Sequence, residues 1–549
     1  MILSRSLRRL IACSLVLGGP ARVAAQSHPR LDSTAVTDIA KLLMLEDTRT
    51  FDAPELARLL NSKHPEVRRR AMLAIAHIKQ KAGIELLRAR PLPADTALAA
   101  TMVFAVGQLR DTLTIPWLDS LLTNPRTSPT VLAEAASALG KIKTSAAREA
   151  LGRFLLKTTA VPRTNDAIGE ALLAIGRANA RGDISPIARW TTSANEEIRW
   201  RATWALFRPR DPMAVRDLLT LANDRSATVR SWAVRGLVKS QADSASLGVQ
   251  ALAKLLGAVH DADRRVRTEA IRALATYPDS SALSALVTAL HSPDSWESVS
   301  AAEGLARAKA GWTIPALVDA GKPSRPCALR ATAMRSLQQF ALEDARAIAS
   351  AMSRDTATYC QNIAVQLLRD TIPGAARGGG RGPRQIPKPV ARPLAEYRAI
   401  VQKWIVPAYM GRALPRARWE TSRGTIDLEL YAGDAPLAMD AFERIMNAET
   451  IIGTEFTRVV PDFVDQQAPI RDAVIQRDEV NRHRLTRGNL AWASSGLDTG
   501  RPGYTLNHTP QPHNEGDFTS LGRVVAGQDV VDRIQLGDAV LSVKMISPR

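Results

Sequence analysis

Cysteine is scarce in this chain, with three residues among 549, and aromatic residues make up only 5% of it. No segment has 18 consecutive apolar residues, so the sequence offers no candidate for a membrane-spanning helix. Three C-terminal histidines, His483, His508 and His513, lack the i, i+4 spacing on a helix that a zinc site favours. We therefore expect no metal site.

Acidic residues are outnumbered by basic ones, which gives a formal net charge of +19. The arginines are dispersed along the whole chain, and no basic block is interleaved with aromatic residues. This distribution argues against a nucleic-acid partner and favours a solvated surface. A weak affinity for anionic membranes or cell-wall polymers stays open as an alternative.

The first 25 residues are typical of an export signal. Arg5, Arg8 and Arg9 form a basic start, residues 10–19 form a short apolar run, and residues 23–25 resemble a cleavage site. We expect the mature protein to begin near Gln26 and to be periplasmic or extracellular. Cys13 lies in a sequence that mimics a lipoprotein signal, but it precedes most of the apolar run, which favours a soluble product.

Residues 26–372 repeat a helical pattern of the type V-R-x-x-A-x-x-A-L. A unit of 30 to 37 residues cannot bury its apolar face alone, so the period predicts an all-α solenoid of stacked repeats. The clearest copy, residues 263–274, resembles HEAT repeats of the short, lyase-associated type. The apolar anchors of successive repeats are Val67, Leu98, Val131, Ile168, Ile198, Val229, Val266, Val299, Leu329 and Ile363.

An arginine recurs directly after many of these anchors. In HEAT repeats such residues tie adjacent repeats to aspartates in the preceding turns, such as Asp224 and Asp261. The arginines in these positions are Arg68, Arg199, Arg230, Arg267 and Arg330. The curved surface of a solenoid suits protein partners.

Cys327 and Cys360 lie about one repeat apart, and the sequence leaves open whether they pair.

Residues 373–396 are rich in glycine, proline and arginine and read as a linker. This segment is not a phosphate-binding loop, because no G-K-[ST] follows and no strand precedes it. Residues 397–416 then predict a connecting helix that docks on one of the domains, before a C-terminal domain that spans residues 417–549.

The C-terminal domain contains a distinctive spacing of three side chains. Arg458, Phe463 and Gln466 lie at offsets 0, +5 and +8 in an otherwise apolar segment. An arginine donates several hydrogen bonds in a fixed fork, and a nearby aromatic ring can form the floor of a small apolar pocket. Together they suit an amide carbonyl beside a proline ring.

The order of motifs around this segment resembles the cyclophilin family of peptidylprolyl isomerases. The resemblance rests on G-T-I-x-L-E-L-Y at residues 424–431, F-x-R-V-V-P-x-F-x-x-Q at 456–466 and G-R-V-V-x-G-x-D-V-V-D-x-I at 522–534. It implies a closed β-barrel with flanking helices, isomerase activity on X-Pro bonds and no cofactor.

The resemblance also assigns roles to individual residues. It makes Arg458 the main catalytic side chain, with Phe463 in the pocket and Gln466 on the substrate. It further implies substrate contacts by the following set: Val464, Ala493, Ser494, Thr505 and Phe518.

Several of these positions depart from the family pattern. Thr457 replaces a histidine, Gly503 a glutamine, Thr505 a pocket phenylalanine, His513 a tryptophan and Phe518 a histidine. We therefore expect a wider, wetter groove and a weakened isomerase.

The sequence as a whole supports an exported isomerase whose HEAT solenoid recruits proline-containing client polypeptides. The alternative is a non-catalytic adaptor, in which the barrel only binds peptides.

Overall fold

The computed structural model describes residues 29–371, 391–470 and 477–546, with only the backbone of residues 501 and 502. The predicted export signal lies outside the described residues, as does most of the predicted linker, residues 373–390.

Up to residue 371 the described chain consists of α-helices joined by turns and by three short 3-10 helices. The α-helices follow in chain order. They are α1 Ser33–Thr48, α2 Ala53–Leu60, α3 Pro65–Ile78, α4 Gly83–Arg88, α5 Thr96–Leu109, α6 Ile115–Thr123, α7 Pro129–Ile142, α8 Ser145–Lys157, α9 Asn165–Ala178, α10 Ser185–Ala188, α11 Glu196–Phe207, α12 Val215–Leu221, α13 Ala227–Arg235, α14 Lys239–Ser244, α15 Gly248–Ala258, α16 Arg264–Leu274, α17 Ser280–Leu290, α18 Ser295–Ala308, α19 Ile314–Ala320, α20 Cys327–Leu337, α21 Leu342–Met352 and α22 Thr358–Asp370.

The ten predicted anchors are all buried, each on the second helix of its repeat. These second helices stack on one another in the order α3, α5, α7, α9, α11, α13, α16, α18, α20, α22 and form the inner ladder of the solenoid. The stacking buries apolar surface that no single repeat could cover. The predicted helical solenoid is confirmed.

The recurring arginines join neighbouring repeats. Arg199 Nε donates to Asp224 Oδ2 at 2.9 Å, and Arg230 Nη2 donates to Asp261 Oδ1 at 2.8 Å. In both pairs the aspartate lies in the following turn, whereas the preceding turn supplies backbone carbonyls such as Ser193 O. Arg68 departs from the pattern and donates to the carbonyls of Ser62 and Lys63.

Cys327 and Cys360 form a disulfide that joins α20 to α22, with Cα atoms 5.9 Å apart. The sequence left open whether these two cysteines pair, and in the structure they do.

Among the described helices, none has the length and apolar character needed to cross a bilayer.

The C-terminal part is an eight-stranded antiparallel sheet with helices α25 Pro436–Asn447 and α26 Gln528–Val531 beside it. The strands follow the order β3-β4-β6-β5-β7-β2-β1-β8. They are β1 Arg416–Thr421, β2 Gly424–Leu430, β3 Phe456–Val460, β4 Val464–Gln467, β5 Asn489–Ala493, β6 Arg501–Asn507, β7 Ser520–Ala526 and β8 Val540–Ile546.

The sheet curls until its two edges meet. Phe456 N donates to Asp538 O at 2.7 Å, and Val540 N donates to Thr454 O at 3.0 Å. These bonds join the β3 edge to the start of β8 and satisfy backbone groups that an open edge would expose. Inside, the Tyr504 ring packs on Trp492 and Phe442. The predicted barrel with flanking helices is confirmed.

The segment between solenoid and barrel comprises α23 Leu394–Ile400, a π-helical turn Val401–Ile405 and α24 Val406–Tyr409. Tyr397 Oη donates to Asp47 of α1 at 2.7 Å, and Lys403 pairs with Glu443 of α25. The segment therefore packs on both parts of the chain, whereas the sequence predicted docking on one.

The barrel packs against the inner ladder of the solenoid. Apolar side chains of α1, α3, α5, the connecting segment and the barrel form one continuous core. Polar contacts extend the interface along the ladder, from α3 to α16. They include Arg70 to Gly433 O, His77 to Val480 O, Glu134 to Arg482, Arg177 to Glu515, Arg264 to Asp532 O and Arg272 to Pro461 O.

Candidate active site

A short hairpin carries the predicted catalytic side chains. Strands β3 and β4 are joined by Pro461, Asp462 and Phe463, and Phe463 N donates to Val460 O at 3.0 Å. Asp462 has φ 49°, in the left-handed region that aspartate tolerates better than most residues. The turn therefore places Arg458 on one strand and Gln466 on the other.

Cross-strand register places four residues in one row on the outer face of the barrel. Arg458 pairs with Gln466, Gln466 with Thr505, and Thr505 with Ala491. The Arg458 side chain is exposed, and its Nη1 donates to Gln466 Oε1 at 3.3 Å. The sheet thus brings together two residues eight positions apart that the sequence assigned to one site.

Phe463 lies beside this row. The Arg458 guanidinium lies over its ring, 5.6 Å from the ring centroid, and the His513 imidazole stacks on it at 5.9 Å. Val464 shares the face of Gln466, two positions along β4, and only 4% of its surface is exposed. These side chains form an apolar patch next to a cation, as the sequence predicts for Arg458 and Phe463.

Solenoid arginines act electrostatically on this patch. Burial, with smaller contributions from the nearby Arg208 and Arg235, lowers the pKa of His513 to about 4. His513 is therefore neutral at physiological pH. Arg208 directly follows α11 and Arg235 ends α13, roughly 300 residues before His513. Nothing in their local sequence distinguishes them from other surface arginines.

Other predicted residues have different surroundings. The Ser494 hydroxyl donates to Gly496 O at 2.5 Å and bonds the Thr499 hydroxyl, so it serves its own loop. Ala493 ends β5 and is half-buried. Phe518 lines a cleft of about 240 Å³ together with Phe104 and Lys141 of the solenoid.

The expected widening of the groove at Gly503 is wrong. A Cβ at Gly503 would lie 3.0 Å from Gln467 O and 3.1 Å from Ala468 O. Backbone of the neighbouring strand therefore occupies the space that a side chain would take. The Thr505 hydroxyl donates to Ala491 O at 3.3 Å.

This arrangement can hold and polarise an amide. An exposed guanidinium with a fixed fork can donate to a carbonyl oxygen or to an amide nitrogen. Phe463 and Val464 offer an apolar surface for a pyrrolidine ring. Among the described residues, no group of histidine, cysteine, aspartate or glutamate side chains is placed to hold a metal ion.

Residues 416–547 match the family described as cyclophilin type peptidyl-prolyl cis-trans isomerase. A peptidyl-prolyl cis-trans isomerase of Synechococcus elongatus is 30% identical over 142 residues, which cover 24% of this chain and 98% of that protein. The chain belongs to the cyclophilin family. Within the solenoid, residues 221–306 match HEAT repeats and residues 131–157 match the PBS lyase HEAT-like repeat.

Further relatives cover the same cyclophilin domain. Peptidyl-prolyl cis-trans isomerase B of Bacillus subtilis is 31% identical over 128 residues, covering 22% of this chain and 90% of that protein. A crystal structure of a cyclophilin type isomerase from Cryptosporidium parvum has 16% identity and a TM-score of 0.23, and the match covers 25% of this chain and 99% of that one.

Proposed function

We propose that the cyclophilin domain catalyses cis–trans isomerisation of X-Pro bonds in polypeptide clients. The observation that carries the proposal is the exposed Arg458 guanidinium, bonded to Gln466 and lying over the Phe463 ring. In the proposed mechanism Arg458 polarises the prolyl amide, while Phe463 and Val464 contact the ring. Gln466 and the backbone near Ala493 hold the flanking chain.

The expected rate enhancement from Arg458 is modest. Rotation about a peptide bond faces a barrier of about 18–20 kcal/mol. A hydrogen bond to a charged group contributes roughly 1.5–3 kcal/mol, which corresponds to about 10- to 200-fold in rate. Any further acceleration requires a preorganised, water-poor groove. Thr505 removes an apolar wall from that groove, so we expect a slower enzyme than one with an aromatic ring at this position.

We propose that the clients are exported polypeptides. The basic and apolar pattern of residues 1–25 supports export. The disulfide between Cys327 and Cys360 is consistent with an oxidising compartment.

The solenoid is proposed to recruit clients through surface that the barrel leaves uncovered. The barrel contacts the inner ladder, whereas large apolar side chains are exposed at turns between repeats, including Leu113, Met213 and Trp312. Apolar side chains in such positions suit protein partners.

A non-catalytic peptide-binding adaptor is the second candidate function. Three observations favour it: Thr505 stands where the family has a pocket phenylalanine, the Ser494 hydroxyl is engaged within its own loop, and Phe518 lies against the solenoid.

Two measurements on the full chain separate the candidates: its affinity for one short X-Pro peptide, and its effect on the cis–trans exchange rate of that peptide. Acceleration supports the isomerase, whereas binding without acceleration supports the adaptor.

A further inference from the structure

Arg272 of the solenoid contacts the hairpin of the candidate active site directly. It lies in the last turns of α16, and its Nη1 donates to Pro461 O at 2.9 Å and to Glu269 Oε1 at 2.9 Å. Glu269 is almost completely buried, and the Arg272 side chain is largely so. Glu269, on the same helix, thus holds the Arg272 guanidinium in the position from which it donates to the barrel.

The barrel side of this contact is the turn between β3 and β4. Other barrel residues supply hydrogen bonds to one carbonyl of this turn: Phe463 O accepts from His508 N at 3.1 Å and from Gln511 Nε2 at 3.0 Å. The carbonyl of Pro461 receives its hydrogen bond from the solenoid. Asp462, next along the turn, is 2% exposed. The solenoid therefore covers the tip of this hairpin.

The position of this tip determines the position of the catalytic groups. Pro461 is three residues after Arg458 and two before Phe463, with no further element between them. A displacement of about 1 Å in a catalytic group can cost about 10²-fold in rate. Groups on a short hairpin keep such precision only when surrounding residues fix the hairpin.

We propose that Arg272 is a positioning residue of the isomerase site, and that the solenoid is thereby a working part of the enzyme. The inference rests on the proposed function of Arg458. It assigns to the solenoid a role beyond client recruitment: holding the β3–β4 hairpin so that Arg458 and Phe463 keep their relative placement.

The test compares full-length Arg272→Ala with a matched control, Arg70→Ala. Arg70 also lies on the inner ladder, pairs with a glutamate on its own helix, Glu66, and donates to a barrel carbonyl, Gly433 O. It contacts the barrel away from the hairpin. Both variants lose one interface guanidinium, so a general loosening of the interface affects them alike.

We expect Arg272→Ala to lower kcat/KM for an X-Pro peptide by about 10- to 100-fold, mainly through kcat. Arg272→Lys should recover part of the loss, because an ammonium can donate to the same carbonyl. Arg70→Ala should stay within about twofold of wild type. Equal losses in Arg272→Ala and Arg70→Ala, or no loss in either, would overturn the proposal.

Amide hydrogen exchange supplies a readout that does not depend on activity. We expect Arg272→Ala to speed exchange in residues 456–467 and to leave β2 unchanged, whereas Arg70→Ala leaves residues 456–467 unchanged. Unaltered exchange in this hairpin overturns the positioning role even if the variant is folded. A wild-type chain without isomerase activity would contradict the proposed function instead, so the two failures are distinguishable.

Discussion

The indole of Trp296 stacks on the imidazole of His508, with ring centroids 4.6 Å apart. Trp296 belongs to solenoid helix α18 and is 1% exposed, and His508 follows barrel strand β6 and is fully buried. His508 Nε2 bonds Asp465 Oδ2 at 2.8 Å, and the Arg264 guanidinium lies 4.0 Å from the Trp296 ring centroid. The solenoid and barrel thus share a buried aromatic contact.

Replacing Trp296 by alanine should weaken the docking of the barrel. Truncating a buried tryptophan typically costs about 3–5 kcal/mol, through lost burial and the cavity that remains. We expect a clearly lower midpoint of thermal unfolding. Trp312→Ala is the control, because Trp312 is 55% exposed and its removal should cost less than about 0.5 kcal/mol. Similar shifts in both variants would contradict the docked arrangement.

Reducing the disulfide should destabilise the last repeats of the solenoid. Cys327 and Cys360 are 33 residues apart, and closing a loop of that size stabilises the folded chain by about 3–4 kcal/mol in the chain-entropy account. We expect the double variant Cys327→Ser, Cys360→Ser to show faster amide exchange in α20 to α22 and little change in the barrel. Unchanged exchange in α20 to α22 would argue against a stabilising disulfide.

Asp462 should make stability depend on pH. Burial, with a contribution from Glu269, raises its pKa to about 7, against an ordinary value near 3.9. Between these values the folded chain holds a proton that the unfolded chain has released. The resulting stability is fully present below about pH 4 and is lost as the pH rises through about 7.

Asp462→Asn isolates this contribution. His513 acts in the opposite direction, because its lowered pKa removes stability as the pH falls from about 6.5 to 4, but it is present in both proteins. We expect the asparagine variant to gain thermal stability relative to wild type on going from about pH 5 to about pH 8. A constant difference between the two proteins across that range would rule out the raised pKa.

Thr505→Phe should strengthen the enzyme. Thr505 is half-buried in the row that contains Gln466, and a phenyl ring there adds apolar surface next to the proposed pocket. We expect kcat/KM for an X-Pro peptide to rise several-fold, roughly the effect of about 1 kcal/mol. Thr288→Phe, on the outer solenoid helix α17, is the control and should change nothing. If kcat/KM of Thr505→Phe does not increase, the substrate does not bind next to position 505.

Local patterns were sufficient to predict the elements. The ten anchors fall on the stacked helices because a 3.6-residue period and a repeat length are properties of nearby residues. Arg458 and Gln466 lie opposite each other because the short turn of residues 461–463 fixes which residues of β3 and β4 pair. The prediction for Gly503 is wrong because its sequence neighbours do not reveal that the backbone of Gln467 and Ala468 lies against it.

The docking of the two parts could not be predicted in the same way. Its polar contacts join residues far apart in sequence, such as Arg272 and Pro461 at a separation of 189. Interface arginines such as Arg49 and Arg177 have the same local sequence character as arginines that only face solvent. These contacts depend on how well the surfaces of the folded solenoid and barrel fit each other. The periodic pattern of apolar residues in the sequence carries no information about that fit.

The most direct test of the isomerase is the exchange rate between cis and trans forms of one X-Pro peptide, measured with full-length wild type, Arg458→Ala and Arg523→Ala. Arg523 is an exposed barrel arginine paired with Glu429, away from the hairpin. We predict acceleration by wild type and Arg523→Ala, and a loss of about 10- to 200-fold in Arg458→Ala. Equal acceleration by all three proteins would contradict the assignment of Arg458 as the catalytic side chain.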